Sequence, residues 1–443
     1  MPQRRALIIG GSLGGLIAAH LLRAAGWDAV VFERNAEDLL SRGAGIGTHP
    51  HLIDILRRAG IAFDDSMGVP VATALALDRD GKVALRQETV RMMSGWARLY
   101  RSLRAPLPAD RYVLGHALER VEQDDAGVTA MFAGGARARG DLLVGADGIR
   151  STVRAQYLPH AQPVYAGYVA WRAMVAERDI PEAIRAEIFE CYAFCLPDGE
   201  QCLGYPVPGG DNDTANDTAN YTANYTANYT AMGRRAYNIV WYRPTDPATT
   251  LADLCTDAAG RCHGMTIPPP LIRPDVIASI KATARARVAP QIAEIFARAE
   301  PFFQPIFDLE SPAIAFGRVA LLGDAAFVAR PHVGAGVTKA ALDAASLADA
   351  LIAHGDDLGA ALARYQREQI GFGRGLVALG REEGAYISAQ LKPPHERRGA
   401  ELPRDIHSLM AAHQASRDRV RALAAARGTR TASAHSGESL PRT

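Results

Sequence analysis

The run from Arg5 to Arg34 constrains the fold more than any other stretch of the chain. An apolar strand, ALIIGG, meets a glycine turn, GGSLGGL. A helix with apolar positions at Leu13, Leu16, Ile17 and Leu21 then stops at Gly26, and a second strand, DAVVFER, follows. This is a βαβ unit, which winds right-handed. Gly10, Ser12 and Gly15 stand at the spacing of a G-x-G-x-x-G turn, with serine in the middle position. Small residues there let a pyrophosphate approach backbone amides at a helix N-terminus, where the dipole favours an anion. Glu33, 23 residues beyond Gly10, ends the second strand, where a carboxylate accepts hydrogen bonds from both ribose hydroxyls of an adenosine. The same carboxylate repels a 2′-phosphate, so FAD or NAD fits the turn better than NADP.

With 443 residues the chain is long enough for two lobes and a buried cofactor. A formal net charge of +1 supplies no field for nucleic acid or an anionic membrane, which leaves small molecules as the expected partners. No uninterrupted apolar run is long enough to span a bilayer. The five cysteines lack metal or dithiol spacing, so no metal is expected. They read as buried free thiols of a cytoplasmic protein. A homodimer is the default assembly for such an enzyme.

Pattern divides the chain into an α/β (α+β overall) architecture: a Rossmann-like lobe, a discontinuous sheet-containing lobe and a helical C-terminal region. The nucleotide lobe is expected over 1–75, 106–160 and 286–352. The second lobe is expected over 76–105, where Asp80-Gly81 turns a hairpin, and over 161–285, with strands such as YVAWRAMV and AYNIVWYRP. Helices follow over 353–426. The polar four-residue repeat at 211–231 reads as a mobile loop, and 427–443 as a disordered tail.

A second glycine-and-aspartate signature, LLGDAAFVARPHVGAG, lies at Leu321 to Gly336, more than 300 residues after the first. A nicotinamide enzyme has no need of it, whereas FAD is long enough to require a distant grip on its ring end. With GADGIRSTVR at Gly145 to Arg154, the three motifs in this order resemble the single-component FAD-dependent aromatic hydroxylases, the para-hydroxybenzoate hydroxylase-like family. YAGYVAWRAMV and the Arg-Pro-His step narrow the resemblance towards its 2,6-dihydroxypyridine 3-monooxygenase branch.

That resemblance implies a Rossmann-like FAD lobe and a monooxygenase in which NADH or NADPH reduces FAD. Dioxygen then forms a flavin C4a-hydroperoxide that hydroxylates a small electron-rich aromatic or N-heteroaromatic ring. A flavin dehydrogenase, or an impaired FAD-binding protein on the same fold, is the alternative. Carried onto this sequence, Gly10, Ser12, Leu13 and Gly15 cradle the pyrophosphate, and Glu33 with Arg34 holds the adenosine end. Asp147 sits near the pyrophosphate, and Asp324 takes the ribityl hydroxyls. Pro331 lies at the flavin edge, and the amides of Gly334, Ala335, Gly336 and Val337 face the ring. Two positions depart from the family: Thr338 replaces an asparagine, and an arginine is missing near YVLGHAL, for which Arg111 is the available substitute.

His332 is the leading candidate to touch the substrate or assist its deprotonation, because its side chain titrates near neutrality. Arg330 is a candidate contact for an anionic substrate. Strand alternation puts Tyr168, Ala170 and Arg172 on one face, with Val169 and Trp171 on the other. Tyr168 and Arg172 could therefore orient a ring hydroxylate, and Tyr205 is a further pocket candidate. The alanine stripe after Gly336 reads as core packing, with Asp343 at the surface.

Overall fold

A computed structural model describes residues 3–39, 45–64, 66–209, 230–403 and 405–429. Its first layer is a six-stranded sheet in the order Ala315–Phe316, Val319–Leu321, Leu142–Gly145, Arg5–Ile9, Asp28–Phe32 and Tyr112–Val113, parallel except at the first pair. The three central strands are continuous apolar runs, as strands covered on both faces require. The helices Leu13–Ala24 and Gly336–His354 belong to the core built on this sheet. Parallel pairing gathers the carboxyl ends of Arg5–Ile9, Leu142–Gly145 and Val319–Leu321 at one edge. Ligands of open α/β sheets bind at such an edge.

The second layer is a nine-stranded sheet, antiparallel apart from the Val69–Leu77 and Cys191–Cys195 pair. Its long strands Val164–Ala176 and Ala236–Pro244 pair from Tyr168↔Pro244 to Ala176↔Ala236. Alternation sends Val169 and Trp171 into a core shared with the helices Pro274–Arg287 and Pro290–Arg298. Tyr168 and Ala170 enter a different core on the opposite face, with Tyr205, Tyr242 and Met410 of the helix Ile406–Thr429. A small three-stranded sheet, Leu118–Asp124, Gly127–Phe132 and Arg137–Gly140, completes the set.

Several expected boundaries move. Gly45–Thr48 and Val69–Leu77 belong to the nine-stranded sheet rather than the nucleotide lobe. Trp96–Arg104 runs the other way, its Leu99, Tyr100 and Leu103 packing into the nucleotide core. The helix Pro290–Arg298 and the strand Phe302–Glu310 pack with the second layer, not the first. Each is a short apolar run whose partner lies far away in sequence, so local pattern does not assign it to a lobe. The repeat at 211–229 and the tail from 430 lie outside the described residues; 427–429 continue the last helix. All five cysteines are free, but Cys262 is exposed rather than buried. Among the described residues no helix is long and apolar enough to cross a membrane.

Candidate FAD and substrate site

The first glycine turn is shaped by contacts no other residue permits. Gly10 has φ +107°, and a Cβ there would lie 2.4 Å from the Ala146 carbonyl oxygen and 2.9 Å from Asp147 Cα. A Cβ on Gly15 would come within 1.9 Å of the Gly10 carbonyl oxygen. Ser12 is the N-cap residue of the helix Leu13–Ala24, and its side chain makes no capping bond. The first-turn amides therefore remain free of a side-chain cap, the condition for an anion site. Glu33 is buried, and its carboxylate accepts from the Gly11 amide at 2.8 Å and the Asn35 amide at 3.0 Å. Arg34 beside it is exposed.

The three motifs meet in space. The close approach of Gly10 to Ala146 and Asp147 joins the first to the second. A Cβ on Gly14 would lie 3.3 Å from both Ala340 Cβ and Leu322 Cδ1, joining the first to the third. Arg154, almost fully buried, donates to the Ala325 carbonyl at 3.1 Å and the Ile149 carbonyl at 2.6 Å, tying the second to the third. One Asp147 oxygen accepts from the Val153 amide at 3.2 Å, while the other is buried and unpartnered. Burial raises the Asp147 carboxyl above the usual range. Gly148 follows with φ +77°.

Asp324 opens onto a cleft of about 290 Å³. Protein packed around its base raises the carboxyl pKa, Lys339 opposing this and Asp343 reinforcing it. Asp343 is not at the surface, as the sequence suggested: it is buried, accepts from the Gly323 amide at 2.9 Å and pairs with Lys339 Nζ at 3.1 Å. Lys339 also donates to the Gly323 carbonyl at 2.7 Å. This pair clamps the turn that presents Asp324, and only the helix spacing of the two residues hinted at it. Beyond it, Gly334 at φ +59° turns the chain into the helix Gly336–His354, and a Cβ on Gly334 or Gly336 would meet nothing within 4 Å. Gly334, Ala335, Gly336 and Val337 all line the cleft. A pyrophosphate turn, a ribose carboxylate, an accessible aspartate and an open helix N-terminus along one edge fit an extended FAD.

His332 and Pro331 line the same cleft. The His332 ring is buried, shares a 2.8 Å hydrogen bond with the Tyr168 hydroxyl, and lies 4.2 Å from the Tyr242 ring centroid. Burial raises the Tyr168 phenol above its ordinary value, so it stays protonated. Arg172 and Tyr205 line the cleft as well, Arg172 donating to Gln304 at 2.6 Å and Tyr205 to the Gly45 carbonyl at 3.2 Å.

Two expectations are corrected. Arg330 lines the cleft, but its guanidinium is committed within the protein: it forks onto Asp308 at 3.0 and 2.9 Å and donates to Ser388 at 2.8 Å. Arg111 does not reach the cofactor edge. It pairs with Asp28 at 2.9 Å, at the amino end of its strand, and with Asp110 at 2.7 Å. Sequence reasoning also missed His49, Arg91, His413 and Arg417, which line the cleft from a strand, a helix N-cap and the last helix. No motif marks them; only the folded arrangement brings them together.

Comparison with known proteins agrees with this geometry. An FAD-binding-domain family model matches residues 3–200, and an FAD-binding-domain-like model matches 165–308. The 2,6-dihydroxypyridine 3-monooxygenase of Paenarthrobacter nicotinovorans is 28% identical over 83% of this chain and 87% of its own length. The 3-amino-4-hydroxybenzoate 2-monooxygenase of Streptomyces cremeus is 34% identical over 46% and 54%. The solved 2,6-dihydroxypyridine-3-hydroxylase of Arthrobacter nicotinovorans superposes with a TM-score of 0.77 at 25% identity, covering 91% of this chain and 99% of that one. With its three FAD motifs on one edge and an aromatic cleft beside them, the chain carries FAD-binding-domain sequence and is similar to FAD-dependent aromatic hydroxylases.

Proposed function

We propose that the chain is a single-component, NAD(P)H-dependent FAD monooxygenase that hydroxylates a small electron-rich aromatic or N-heteroaromatic ring of the hydroxypyridine or phenol kind. The observation that carries this reading is the packing of three sequence-distant glycine motifs against one another at one sheet edge, the third of which lines a cleft walled by Tyr205, Tyr242 and His332. When bound, FAD accepts reducing equivalents from NAD(P)H and activates dioxygen, one atom of which goes to the ring.

The chain's own residues bind and orient. The amides around Ser12 and Leu13 hold the pyrophosphate, Glu33 and Arg34 the adenosine, and Asp324 the ribityl chain, with Asp147 and Gly148 bordering the pyrophosphate. Pro331, on the cleft wall, would border the flavin ring. The amides from Gly334 to Val337, at a helix N-terminus, stabilise negative charge on the ring by about 0.3–1 kcal/mol. His332, held by Tyr168, accepts the proton of a substrate hydroxyl, which raises the electron density of the ring. Buried aromatic walls keep water from the reacting atoms. Free cysteines suit a cytoplasmic protein, and a homodimer is the assembly to test by light scattering.

Oxygen uptake with NADH, candidate hydroxypyridines or phenols and 18O-labelled dioxygen tests the reading. Substrate-stimulated oxidation with one labelled atom in the product is expected. Oxidation without incorporation would make the protein a flavin dehydrogenase instead.

A further inference from the structure

The carbonyl side of the first glycine turn is held by a tyrosine that no motif marks. Tyr112, in the short strand Tyr112–Val113 beside Asp28–Phe32, is buried, and its hydroxyl donates to the Gly11 carbonyl at 3.0 Å. The fit is close: a Cβ on Gly11 would lie 2.3 Å from the Tyr112 hydroxyl oxygen. The Arg104 guanidinium lies over the Tyr112 ring, 4.4 Å from its centroid. Behind Tyr112 stands Tyr100 of the helix Trp96–Arg104, fully buried and stacked on Trp96 with centroids 5.0 Å apart. Its hydroxyl lies 2.9 Å from that of Tyr112 and donates to the Asp38 carboxylate. Burial raises both phenols, Tyr112 to about 12, so both keep their protons at neutral pH. With the one Tyr100 proton directed to Asp38, only Tyr112 can donate where the two hydroxyls meet. Its proton is therefore shared between the Tyr100 oxygen and the Gly11 carbonyl.

The peptide that Tyr112 grips is the one whose orientation an anion feels. A trans peptide is planar, with its C=O and N–H pointing in opposite directions, so a hydroxyl on the Gly11 carbonyl aims the Ser12 amide away from Tyr112, to the open side of the turn. Among the described residues that amide has no hydrogen-bond partner. The preceding peptide is fixed separately, by Glu33 on the Gly11 amide at 2.8 Å. Glycine at position 11 has no side chain to restrain the peptide that follows it, and the reversed orientation would present a carbonyl oxygen to a phosphate. We propose that Tyr112 is a positioning residue for FAD, its hydroxyl locking the Gly11–Ser12 peptide so that the Ser12 amide faces the pyrophosphate. This rests on the FAD site alone and not on the hydroxylation reading.

Flavin fluorescence on dilution of the full-length holoprotein gives the FAD dissociation constant. Competition against FAD gives those of ADP, which carries the pyrophosphate, and of adenosine, which does not. Y112F removes one hydroxyl and keeps the ring. It should weaken FAD and ADP about three- to tenfold, the loss of one hydrogen bond, while adenosine stays within about twofold. Y100F removes the competing acceptor and leaves the Tyr112 proton wholly to Gly11, so FAD should bind as tightly as to the native protein, or more so. Unchanged FAD and ADP affinities in Y112F would overturn the proposal. So would an equal weakening of all three ligands, which would make Tyr112 a packing residue only, or equal FAD losses in Y112F and Y100F.

Discussion

At the scale of single residues, two carboxylates carry the FAD assignment. Asp324 is accessible on the cleft, and Glu33 directly follows the strand Asp28–Phe32 of the nucleotide unit. Charge-assisted hydrogen bonds contribute about 1.5–3 kcal/mol, so D324A and E33A should each weaken FAD binding to the apoprotein roughly 10- to 100-fold. Fluorescence titration reads this directly. R111A should leave FAD affinity within about twofold, because Arg111 is occupied by Asp28 and Asp110; a large loss would return it to the cofactor site. His49 gives a pH prediction. Burial, reinforced first by Arg417, lowers its imidazole to about 4. A histidine with a depressed folded-state pKa contributes stability above its unfolded pKa of about 6.5 and loses it as pH falls towards 4. The thermal midpoint should decline through that window, and H49Q should flatten the decline.

At the scale of elements, the parts that sequence made legible are those whose reasons are local. The Arg5–Ile9 strand, the glycine turn and the first helix follow from apolar period and from turns that a Cβ would block. G15A should accordingly abolish FAD retention, checked by the flavin content of the purified protein. Alternation likewise placed Tyr168 and Arg172 on one face. Periodicity fails where an element is buried on most sides: every residue from Thr338 to Ala348 of the helix Gly336–His354 is buried, so a charged residue such as Asp343 read as solvated although it is not. Its partner Lys339 is fully buried too. Removing one member of a buried pair costs about 3–5 kcal/mol. K339M should lower stability by that amount in urea unfolding, while K339M/D343L should recover much of it. Equal losses in both would mean that the pair does not hold the turn at Gly323.

At the scale of the whole molecule, the order of three motifs foretold that they meet at one sheet edge, because each motif has its own local signature. The opposite wall of the cleft had none. Arg91, His413 and Arg417 come from a hairpin strand and the last helix, and only long-range packing sets them beside Tyr192. The strand Phe302–Glu310 joins the second sheet for the same kind of reason, through pairing with Val164–Ala176. The account depends on one FAD lying along the edge where Gly10, Asp147 and Asp324 meet. Crystallographic density of the FAD complex tests that most directly. A single extended flavin, its adenosine on Glu33, its ribityl chain on Asp324 and its ring against Gly334 to Val337, is the predicted result. A flavin bound elsewhere, or one whose ring end leaves Asp324 and this loop untouched, would contradict it.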